Sequence, residues 1–548
     1  VYKRQVLAFL DIKSAYDTVD RSIIWRALET HVSPALLGLL QCLFDKVSIE
    51  VLIAGHSSPS FWPRTGVLQG SILSPFLYSI YINSLPDLLR SVRLPLSARY
   101  YSPNPRREFD GLWLNCLLYA DDVVLIGAAD VMPRLLKAAE DHSFSLGYRW
   151  NPAKCVILNS PTTLNAPPLK LYGNPIPIQS SFAYLGIPFD ENGEIATGLL
   201  IQRNVTSAVS AMRRFLLPVG IRSSGFSRLT SSRLYAIFIR PRFEYGLCIC
   251  TFLKKQLAIL DRAQDQCLRL AFGGHPRSST AVFKHLTNVP SMHVRAHTLV
   301  LKMIIRSHSL PDDALLAKLI PFVTAAPRKS RFRWPTIIAQ NPLWSNPEFT
   351  GGFTSIDDRV AYLSTNSSVK QSVLTYRSQL LQGILSRPDP PVLLSACRPV
   401  VRIDPLFLLP MSVFDRSRIL RWRMGWLPGR PINCRCGPIH ASRAHLLSCL
   451  RVAERLNVAT NSTPNPLDYV LNLLPQKIPV RHSAFLLSRW SSWWPVICKV
   501  LLEMEQICLP EEEFIGPSAD TSGSLFLNKL HAPTSSAFAA IATTILEG

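Results

Sequence analysis

Two adjacent aspartates lie inside an apolar run, and this arrangement limits what the run can fold into. Asp121 and Asp122 come after Leu117 and Leu118 and before six apolar residues that only Gly127 interrupts. The pattern predicts two strands joined by a tight turn that carries both acids. Neighbouring carboxylates repel each other and take up protons unless a cation binds them, and Mg²⁺ prefers carboxylate oxygens. From this pair alone, a magnesium site and an ordinary hairpin with an acidic tip are equally good interpretations.

A third carboxylate favours the metal site. The buried-strand pattern of residues 6–10 ends at Asp11, and a helical pattern follows over residues 22–28. An acid at the end of one strand can meet a pair of acids on a neighbouring hairpin. Three carboxylates arranged in this way can hold two metal ions about 4 Å apart for in-line phosphoryl transfer. The three acids together therefore predict a nucleotidyl-transfer site.

Five blocks of sequence resemble, in order, those of the reverse transcriptases, and more closely those of LINE-type non-LTR retrotransposons. They span residues 10–17, 66–75, 119–122, 147–155 and 184–186. A lone Tyr-Ala-Asp-Asp is weak evidence, whereas five blocks in order are specific. The resemblance implies an α+β right-hand polymerase: a palm built on an antiparallel sheet with helices, a helical thumb, and a mainly helical C-terminal region with a small zinc knuckle.

The resemblance also implies roles for the acids and for one lysine. Asp11, Asp121 and the backbone carbonyl of Ile12 would hold two Mg²⁺ ions, with Asp122 assisting. One ion would activate the primer 3′-hydroxyl and the other would stabilise the leaving pyrophosphate. Lys154 would be the general acid that protonates the pyrophosphate, and a solvated loop lysine is the alternative.

Three residues are the implied nucleotide contacts. Tyr16 would be a steric gate that excludes a 2′-hydroxyl and selects deoxynucleotides; the alternative is a core aromatic residue. Gln69 and Gly70 lie in a turn ahead of an apolar helix expected over residues 76–85, where nucleotide and template could approach closely. A plain turn at the start of a helix is the alternative for this pair.

The last block would be the primer grip, formed by Tyr184, Leu185 and Gly186. We expect it at the end of a hairpin that turns at Gly173 and Asn174.

A basic segment follows that block and predicts a thumb. Residues 201–280 contain 13 Arg or Lys and 3 Asp or Glu. Apolar spacing over residues 229–238 and 257–270 is helical, so the arginines could contact the phosphates of an A-form duplex. For any single arginine, a solvated helix face is the better interpretation. The candidates are Arg213, Arg214, Arg222, Arg228, Arg233, Arg240 and Arg242.

The composition is consistent with this reading. The chain of 548 residues has 59 Lys and Arg against 37 Asp and Glu, a net charge of +22, which favours salt-sensitive binding to RNA or DNA. Its 12 cysteines mostly lie singly in apolar runs, as at Cys42, Cys116, Cys267 and Cys498, so we expect small buried side chains without disulfides, in a reducing compartment. Because we find neither a signal peptide nor a membrane-spanning run, we expect an intracellular protein, in the nucleus or in a cytoplasmic ribonucleoprotein, with no membrane partner.

A cysteine-histidine cluster suggests a second metal. Cys434, Cys436, His445 and Cys449 have the spacing C-x-C-x8-H-x3-C, which supplies four ligands suited to tetrahedral zinc. The first gap is short and His440 is a competing ligand, so chance clustering is the alternative. The resemblance supports zinc, because many LINE-type proteins carry a CCHC-like knuckle after the thumb.

A basic and aromatic segment precedes the cluster. Arg416, Arg418, Arg421 and Arg423 interleave with Trp422 and Trp426, a pattern that suits base stacking and phosphate contact. Core tryptophans beside solvated arginines are the alternative. Near the C-terminus, Trp490, Trp493 and Trp494 are expected to belong to a core helix.

We expect six segments along the chain. They are a non-native scar from a sequencing adapter (1–5), the palm (6–190), the thumb (191–290), a connection region with linkers (291–400), the basic and aromatic segment with the zinc knuckle (401–455), and a C-terminal helical region (456–548). Residues 322–352 and 386–410 have the composition of linkers or irregular connections.

The predicted function is that of an RNA-directed DNA polymerase that performs target-primed reverse transcription. Its partners would be an RNA template, a DNA primer or target, and deoxynucleoside triphosphates. In the family the fingers precede the first aspartate block, so we expect this sequence to be a truncated reading frame with weak or no activity alone. An inactive or repurposed relic that binds nucleic acid is the alternative, and a group II intron maturase is a third possibility that the knuckle disfavours.

Overall fold

The computed structural model describes residues 5–92, 114–158, 168–221, 226–275, 278–324, 334–429, 432–437, 440–459, 465–476, 484–508 and 523–531. The suspected scar therefore lies outside the described residues except for Gln5. The chain divides into two compact units, Val1–Leu200 and Ile201–Gly548.

The first unit is built on a four-stranded antiparallel sheet with the strand order β4-β5-β1-β6, accompanied by three short hairpins. The strands are β1 (Gln5–Leu10), β2 (Leu52–Ile53), β3 (His56–Ser57), β4 (Cys116–Tyr119), β5 (Asp122–Ala128), β6 (Val156–Leu158), β7 (Lys170–Leu171), β8 (Asn174–Pro175), β9 (Ser181–Tyr184) and β10 (Ile187–Asp190). The helices are α1 (Arg21–Leu28), α2 (Pro34–Asp45), α3 (Ser74–Ile82), α4 (Ser84–Ser91) and α5 (Met132–Leu146). Helix α6 (Thr197–Ala211) begins in the first unit and ends in the second.

The alternation of side chains along β1 explains how the sheet is covered. Ala8 and Leu10 belong to the core that contains the buried residues of α1, α3 and α5. Phe9 points to the opposite face, since successive side chains of a strand alternate. There its ring lies 4.6 Å from that of Phe182 on β9, measured between centroids. The sheet is therefore buried on both faces, by helices on one side and by the β9–β10 hairpin on the other.

Two local expectations for this unit need correction. The helix expected over residues 76–85 is instead two helices, α3 and α4, which meet at Asn83. The expected hairpin that ends at residue 184 is instead two hairpins, β7–β8 and β9–β10, and β7–β8 turns at Tyr172 and Gly173, one residue before the expected Gly173–Asn174. Both central residues have positive φ, 51° and 76°, as a two-residue type I′ turn requires. Asn174 instead begins strand β8 and pairs with Leu171.

The cysteine expectation also fails at one position. Cys42 is exposed on α2, whereas Cys267 and Cys498 are buried and Cys116 is partly buried. Leu39 and Leu43, on either side of Cys42 in the helix, are also exposed.

The second unit is helical in its described part. Its further helices are α7 (Arg228–Leu234), α8 (Arg240–Glu244), α9 (Lys254–Phe272), α10 (Thr280–Leu286), α11 (Met292–His308), α12 (Leu315–Thr324), α13 (Trp334–Ala339), α14 (Pro342–Ser345), α15 (Ile356–Leu363), α16 (Asn366–Leu385), α17 (Val392–Ser395), α18 (Val413–Arg423), α19 (Arg443–Cys449), α20 (Val452–Arg455), α21 (Pro466–Asn472), α22 (Ala484–Cys508) and α23 (Ser524–His531). Two π-helical turns, Met212–Leu216 and Tyr235–Ile239, continue α6 and α7. Among the described residues, no helix combines the length and apolar character needed to cross a membrane.

One hydrophobic core joins segments that are distant in sequence. It includes Leu260 of α9, Leu406 of the segment 386–410, Leu446 of α19 and Trp494 of α22. The segment 386–410 is thus packed into the core and is not a linker. The expected boundaries at residues 290, 400 and 455 fall inside this single compact unit, and the subdivision stays a prediction.

The other expected linker is also largely packed. In its described part, Leu343, Trp344 and Phe349 are buried in a second core of the same unit. Residues 325–333 lie outside the described part of the chain.

Candidate active site and metal centre

The register of the sheet brings Asp11 to the acidic hairpin. Leu10 is paired with Val123, so one further step along the two strands places Asp11 opposite Asp122. The pairing of Tyr119 with Asp122 leaves Ala120 and Asp121 as the turn. The predicted strand, turn and strand are therefore present, and the three acids lie at one end of the sheet.

The electrostatics of the three acids indicate mutual repulsion in a partly buried site. Burial raises the pKa of Asp11, Lys154 lowers it, and Asp121 raises it again. Burial also raises the pKa of Asp122, and the charges of Asp121 and Asp11 raise it further. A bound cation would relieve this repulsion, so the carboxylates fit a divalent metal ion.

Asp11 is held through its backbone by the block that carries Lys154. The Asn151 amide donates to the carbonyl oxygen of Asp11 at 2.8 Å. The Asp11 amide donates in turn to the Cys155 Sγ at 3.4 Å. Asn151 and Cys155 were not singled out from the sequence, although both lie within the block 147–155. The turn thus connects Lys154, which is exposed, to the strand end that bears the first acid.

Tyr16 lies between the helix-side core and the acids. Its ring stacks on that of Tyr78 in α3, with centroids 5.0 Å apart and planes 16° apart. Burial raises the pKa of Tyr16, and the charge of Asp121 raises it further. Tyr78 is fully buried and was not predicted as a site residue. The arrangement holds the Tyr16 ring in place while leaving part of it exposed beside the acids.

Gln69 and Gly70 lie in an exposed turn next to the Tyr16 corner, which is the irregular segment of residues 13–19 between β1 and α1. The Gln69 Nε2 donates to the Asp17 Oδ1 at 3.3 Å. Gly70 has φ of +92°, and a side chain at this position would meet open space. The Val67 amide donates to the carbonyl oxygen of Tyr16 at 2.8 Å. The structure therefore brings the second block to the first.

The β9–β10 hairpin completes the group. Leu185 and Gly186 form its turn with φ of 46° and 74°. Burial raises the pKa of Tyr184 to about 12, and Asp122 contributes to the rise. The rings of Tyr184 and Phe9 are 5.5 Å apart, so the hairpin is anchored on the strand that ends at Asp11.

Comparison with known proteins agrees with this arrangement. Residues 2–189 match the family model described as "Reverse transcriptase (RNA-dependent DNA polymerase)". The first unit is a reverse transcriptase domain of the non-LTR retrotransposon type. The expected family is thereby confirmed.

Three curated relatives have corresponding names. The chain is 23% identical over 318 residues to the RNA-directed DNA polymerase from mobile element jockey of Drosophila melanogaster, covering 56% of this chain and 32% of that protein. It is 25% identical over 195 residues to the Pol polyprotein from the type-1 retrotransposable element R2 of Popillia japonica, covering 34% and 30%. It is 24% identical over 254 residues to the probable RNA-directed DNA polymerase from transposon BS of Drosophila melanogaster, covering 44% and 26%. The chain therefore spans about a third or less of the length of these relatives.

Among solved structures, apo telomerase from Candida tropicalis is similar at 10% identity with a TM-score of 0.27, covering 70% of this chain and 52% of that one.

The second unit contains the predicted cysteine-histidine cluster. The ligand atoms of Cys434, Cys436, His445 and Cys449 all lie within 4.8 Å of one another. The Cys434 and Cys449 sulfurs are 3.7 Å apart, and the Cys436 sulfur is 3.3 Å from the His445 Nε2. Ligands of tetrahedral zinc at about 2.3 Å from the metal would be about 3.8 Å apart, so the spacing fits zinc. The competing residue His440 is not part of this group and pairs with Asn433.

The electrostatics of the cluster also suit a metal. Hydrogen bonds from the Cys436 backbone and from His445 lower the pKa of Cys434 to about 6, whereas the hydrogen bond with Cys434 raises the pKa of Cys449 to about 11. A lowered pKa favours the thiolate, which is the form of cysteine that binds metal ions.

The neighbouring basic and aromatic residues do not form the expected exposed surface, because three of them are buried and Arg416, Arg421 and Trp426 are partly buried. Trp422 is fully buried, and the side chains of Arg418 and Arg423 are each 1% exposed. Arg418 pairs with Glu505 at 2.5 Å, and Arg423 pairs with Asp468 at 2.9 Å. The alternative of core tryptophans is correct here, but these two arginines are buried as well. Trp490 and Trp494 are buried as expected.

The predicted thumb arginines are mostly exposed. These are Arg213, Arg214, Arg228, Arg233 and Arg242. Arg240 pairs with Glu244 at 3.1 Å and is partly buried, while Arg222 lies outside the described residues.

Proposed function

We propose that this chain performs RNA-directed DNA synthesis for a non-LTR retrotransposon, in the manner of target-primed reverse transcription. The convergence of Asp11 with Asp121 and Asp122 at one end of the sheet is the observation that carries this proposal. The names of the relatives and the match of residues 2–189 support it. The substrates would be an RNA template, a DNA primer and deoxynucleoside triphosphates, and the reaction would take place inside the cell.

The acids would hold the metal ions. Asp11 and Asp121, with the carbonyl of Ile12 and with Asp122 assisting, would bind Mg²⁺. Two such ions supply the positive charge that activates a 3′-hydroxyl and stabilises the leaving pyrophosphate. The raised pKa values of Asp11 and Asp122 support this assignment, because the carboxylates lack sufficient positive charge of their own.

The surrounding side chains would position the nucleotide and the primer. Tyr16, held by its stack on Tyr78, would press against the sugar and exclude a 2′-hydroxyl. Gln69 and Gly70 would contact the incoming nucleotide or the template strand. Lys154, whose charge already acts on Asp11, would give a proton to the departing pyrophosphate. Tyr184, Leu185 and Gly186 would hold the primer end.

The second unit would hold the duplex and a structural zinc ion. The exposed arginines of residues 213–242 would contact phosphates of the heteroduplex, with affinity that falls as salt rises. Cys434, Cys436, His445 and Cys449 would bind zinc as a small knuckle, because their ligand atoms are already close together.

Primer extension on an RNA template tests the polymerase assignment. We compare the full-length protein that contains this chain with its Asp121→Asn variant and with Asp87→Asn, a control on α4 whose side chain is 71% exposed. Asp121→Asn should abolish synthesis while heteroduplex binding is retained. Asp87→Asn should retain both synthesis and binding. Equal activity of Asp121→Asn and the unmodified chain would refute the site. Binding without any synthesis by the unmodified full-length protein would favour the alternative of an inactive relic.

Metal analysis tests the knuckle separately. The purified chain should contain about one zinc ion, and Cys436→Ser should lose it, because structural zinc needs all four ligands. Cys42→Ser is the matched control, since Cys42 is exposed on α2. Zinc content that is equal in the two variants would contradict the assignment.

A further inference from the structure

Arg21 is a buried cation in an electrostatically unfavourable place. It is the first residue of α1, where the helix dipole is positive, and its side chain is 8% exposed. Asp45 compensates for part of this charge, accepting a hydrogen bond from the Arg21 Nε at 2.6 Å. Asp45 is itself fixed by the indole N–H of Trp25 at 2.9 Å. The two terminal nitrogens of the guanidinium remain available for other acceptors.

Those two nitrogens bind the backbone just before the Gln69 turn. The Arg21 Nη1 donates to the carbonyl oxygen of Gly66 at 2.9 Å. The Nη2 donates to the carbonyl oxygens of Pro63 at 2.9 Å and of Arg64 at 3.1 Å. One guanidinium therefore holds three carbonyls of a segment that has no regular secondary structure.

The same segment is joined to the Tyr16 corner. The Gly66 amide donates to the Val19 carbonyl at 2.8 Å, and the Val67 amide donates to the Tyr16 carbonyl at 2.8 Å. Gly66 has φ of +91°, and a Cβ at this position would lie 3.0 Å from the Tyr16 carbonyl oxygen. The backbone of the segment is thus in close contact with the corner on one side and with Arg21 on the other.

We propose that Arg21 is a positioning residue for nucleotide selection. By holding residues 63–67 against the corner, it fixes the separation between Tyr16 and Gln69, and thereby the room left for the sugar of the incoming nucleotide. It acts through these backbone contacts and touches no substrate. A planar guanidinium suits this task, because its donors diverge in fixed directions, whereas a lysine has a single nitrogen. This inference rests on the proposed function.

Hydrogen exchange of the full chain tests the positioning directly. In Arg21→Met, the amides of Gly66 and Val67 should exchange at least about tenfold faster, because local opening of the segment becomes easier. Arg21→Lys should be intermediate. Arg26→Met is the matched control, since Arg26 is exposed on the same helix, and it should leave these amides unchanged. Unchanged exchange in β1 verifies that each variant is folded. Equal exchange of Gly66 and Val67 in Arg21→Met and Arg26→Met would overturn the proposal.

Discrimination between dTTP and UTP in primer extension tests the expected effect of Arg21 on nucleotide selection. In Arg21→Met, the ratio of kcat/KM for dTTP over UTP should fall about tenfold, mainly through a higher KM for dTTP, because misplaced contacts weaken correct binding. Arg21→Lys should restore part of the ratio. Loss of folded protein alone would lower the rates with dTTP and with UTP equally and leave the ratio of kcat/KM unchanged. An unchanged ratio in Arg21→Met would therefore overturn the role of Arg21 in nucleotide selection. Absence of synthesis by the unmodified full-length protein would refute the proposed function, whereas the exchange experiment still decides whether Arg21 holds the segment.

Discussion

The acids of the candidate active site in the first unit and Asp468 in the second unit have opposite surroundings. In the first unit, Asp11 and Asp122 have raised pKa values, and like charges contribute to the rise in both. In the second unit, Asp468 is buried and accepts from Arg423 at 2.9 Å and from Arg443 at 2.8 Å. Converging acids without sufficient countercharge destabilise a fold unless a ligand binds them, whereas paired buried charges are fixed by their partners. The difference separates groups arranged for a ligand from groups arranged for structure.

The largest difference in stability should appear between a variant that lacks a paired buried acid and one that lacks an acid of the candidate active site. Asp468→Ala would leave the buried Arg423 and the partly buried Arg443 without their carboxylate partner and should lower the free energy of unfolding by about 3–5 kcal/mol. Asp122→Ala should leave stability unchanged or slightly raised, because it removes a repulsive charge. Urea denaturation of both variants measures the difference. Comparable destabilisation by the two substitutions would erase the contrast between the units.

A pH titration of stability should show the next largest effect. Burial lowers the pKa of His142 to about 4, so the unfolded chain binds more protons than the folded one as pH falls from about 6.5. Stability contributed by neutral His142 is present above that pH and is lost toward pH 4, by up to about 3 kcal/mol. Asp11 and Asp122 act in the opposite direction, because their raised pKa values favour the folded state as they take up protons. Urea denaturation at pH 7 and pH 4.5 should therefore show a smaller loss for His142→Gln than for the unmodified chain, and equal losses would contradict the assignment.

Substitution of the two glycines in the block of residues 66–75 should give a smaller difference in stability. Both have positive φ, +91° at Gly66 and +92° at Gly70, but only at Gly66 would a Cβ meet backbone atoms, at 3.0 Å. We expect Gly70→Ala to cost about 1 kcal/mol from backbone strain and Gly66→Ala about 1–2 kcal/mol more. Thermal unfolding measures both. A larger loss for Gly70→Ala would show that the segment is not packed against the Tyr16 corner.

The smallest effect concerns arginines within the second unit. Arg213 is exposed, so Arg213→Ser should keep stability and reduce the slope of log affinity against log salt for a heteroduplex by about one. Arg423→Met should lower stability and leave the salt slope unchanged, since Arg423 is buried against Asp468. Binding titrations at several salt concentrations distinguish them. A reduced slope in Arg423→Met alone would mean that the buried network is part of the nucleic-acid surface.

The sequence was sufficient to predict those features of the fold and the candidate site that a local pattern determines. The continuous apolar run that ends at Asp11 and the acidic hairpin were predictable, because buried-strand patterns and turn chemistry act over a few residues. The cysteine-histidine cluster was predictable because metal ligands have recognisable types and spacings.

The sequence was insufficient where a partner is distant or is a backbone atom. The burial of Arg418 depends on Glu505, which lies 87 residues further along the chain, and nothing near Arg418 indicates that partner. The role of Arg21 was not visible either, since its acceptors on residues 63–66 are carbonyl oxygens that every residue has. Tyr78 likewise reads as one more apolar helix residue until its stack on Tyr16 is known.

The pairing of Leu10 with Val123 has a consequence for how the polymerase centre forms during folding. A slip of one residue between these strands would turn Asp11 toward the opposite face of the sheet, away from Asp122. Misaligned chains would therefore lack the proposed magnesium-binding geometry, and Mg²⁺ bound at the three acids would favour molecules whose strands are aligned correctly.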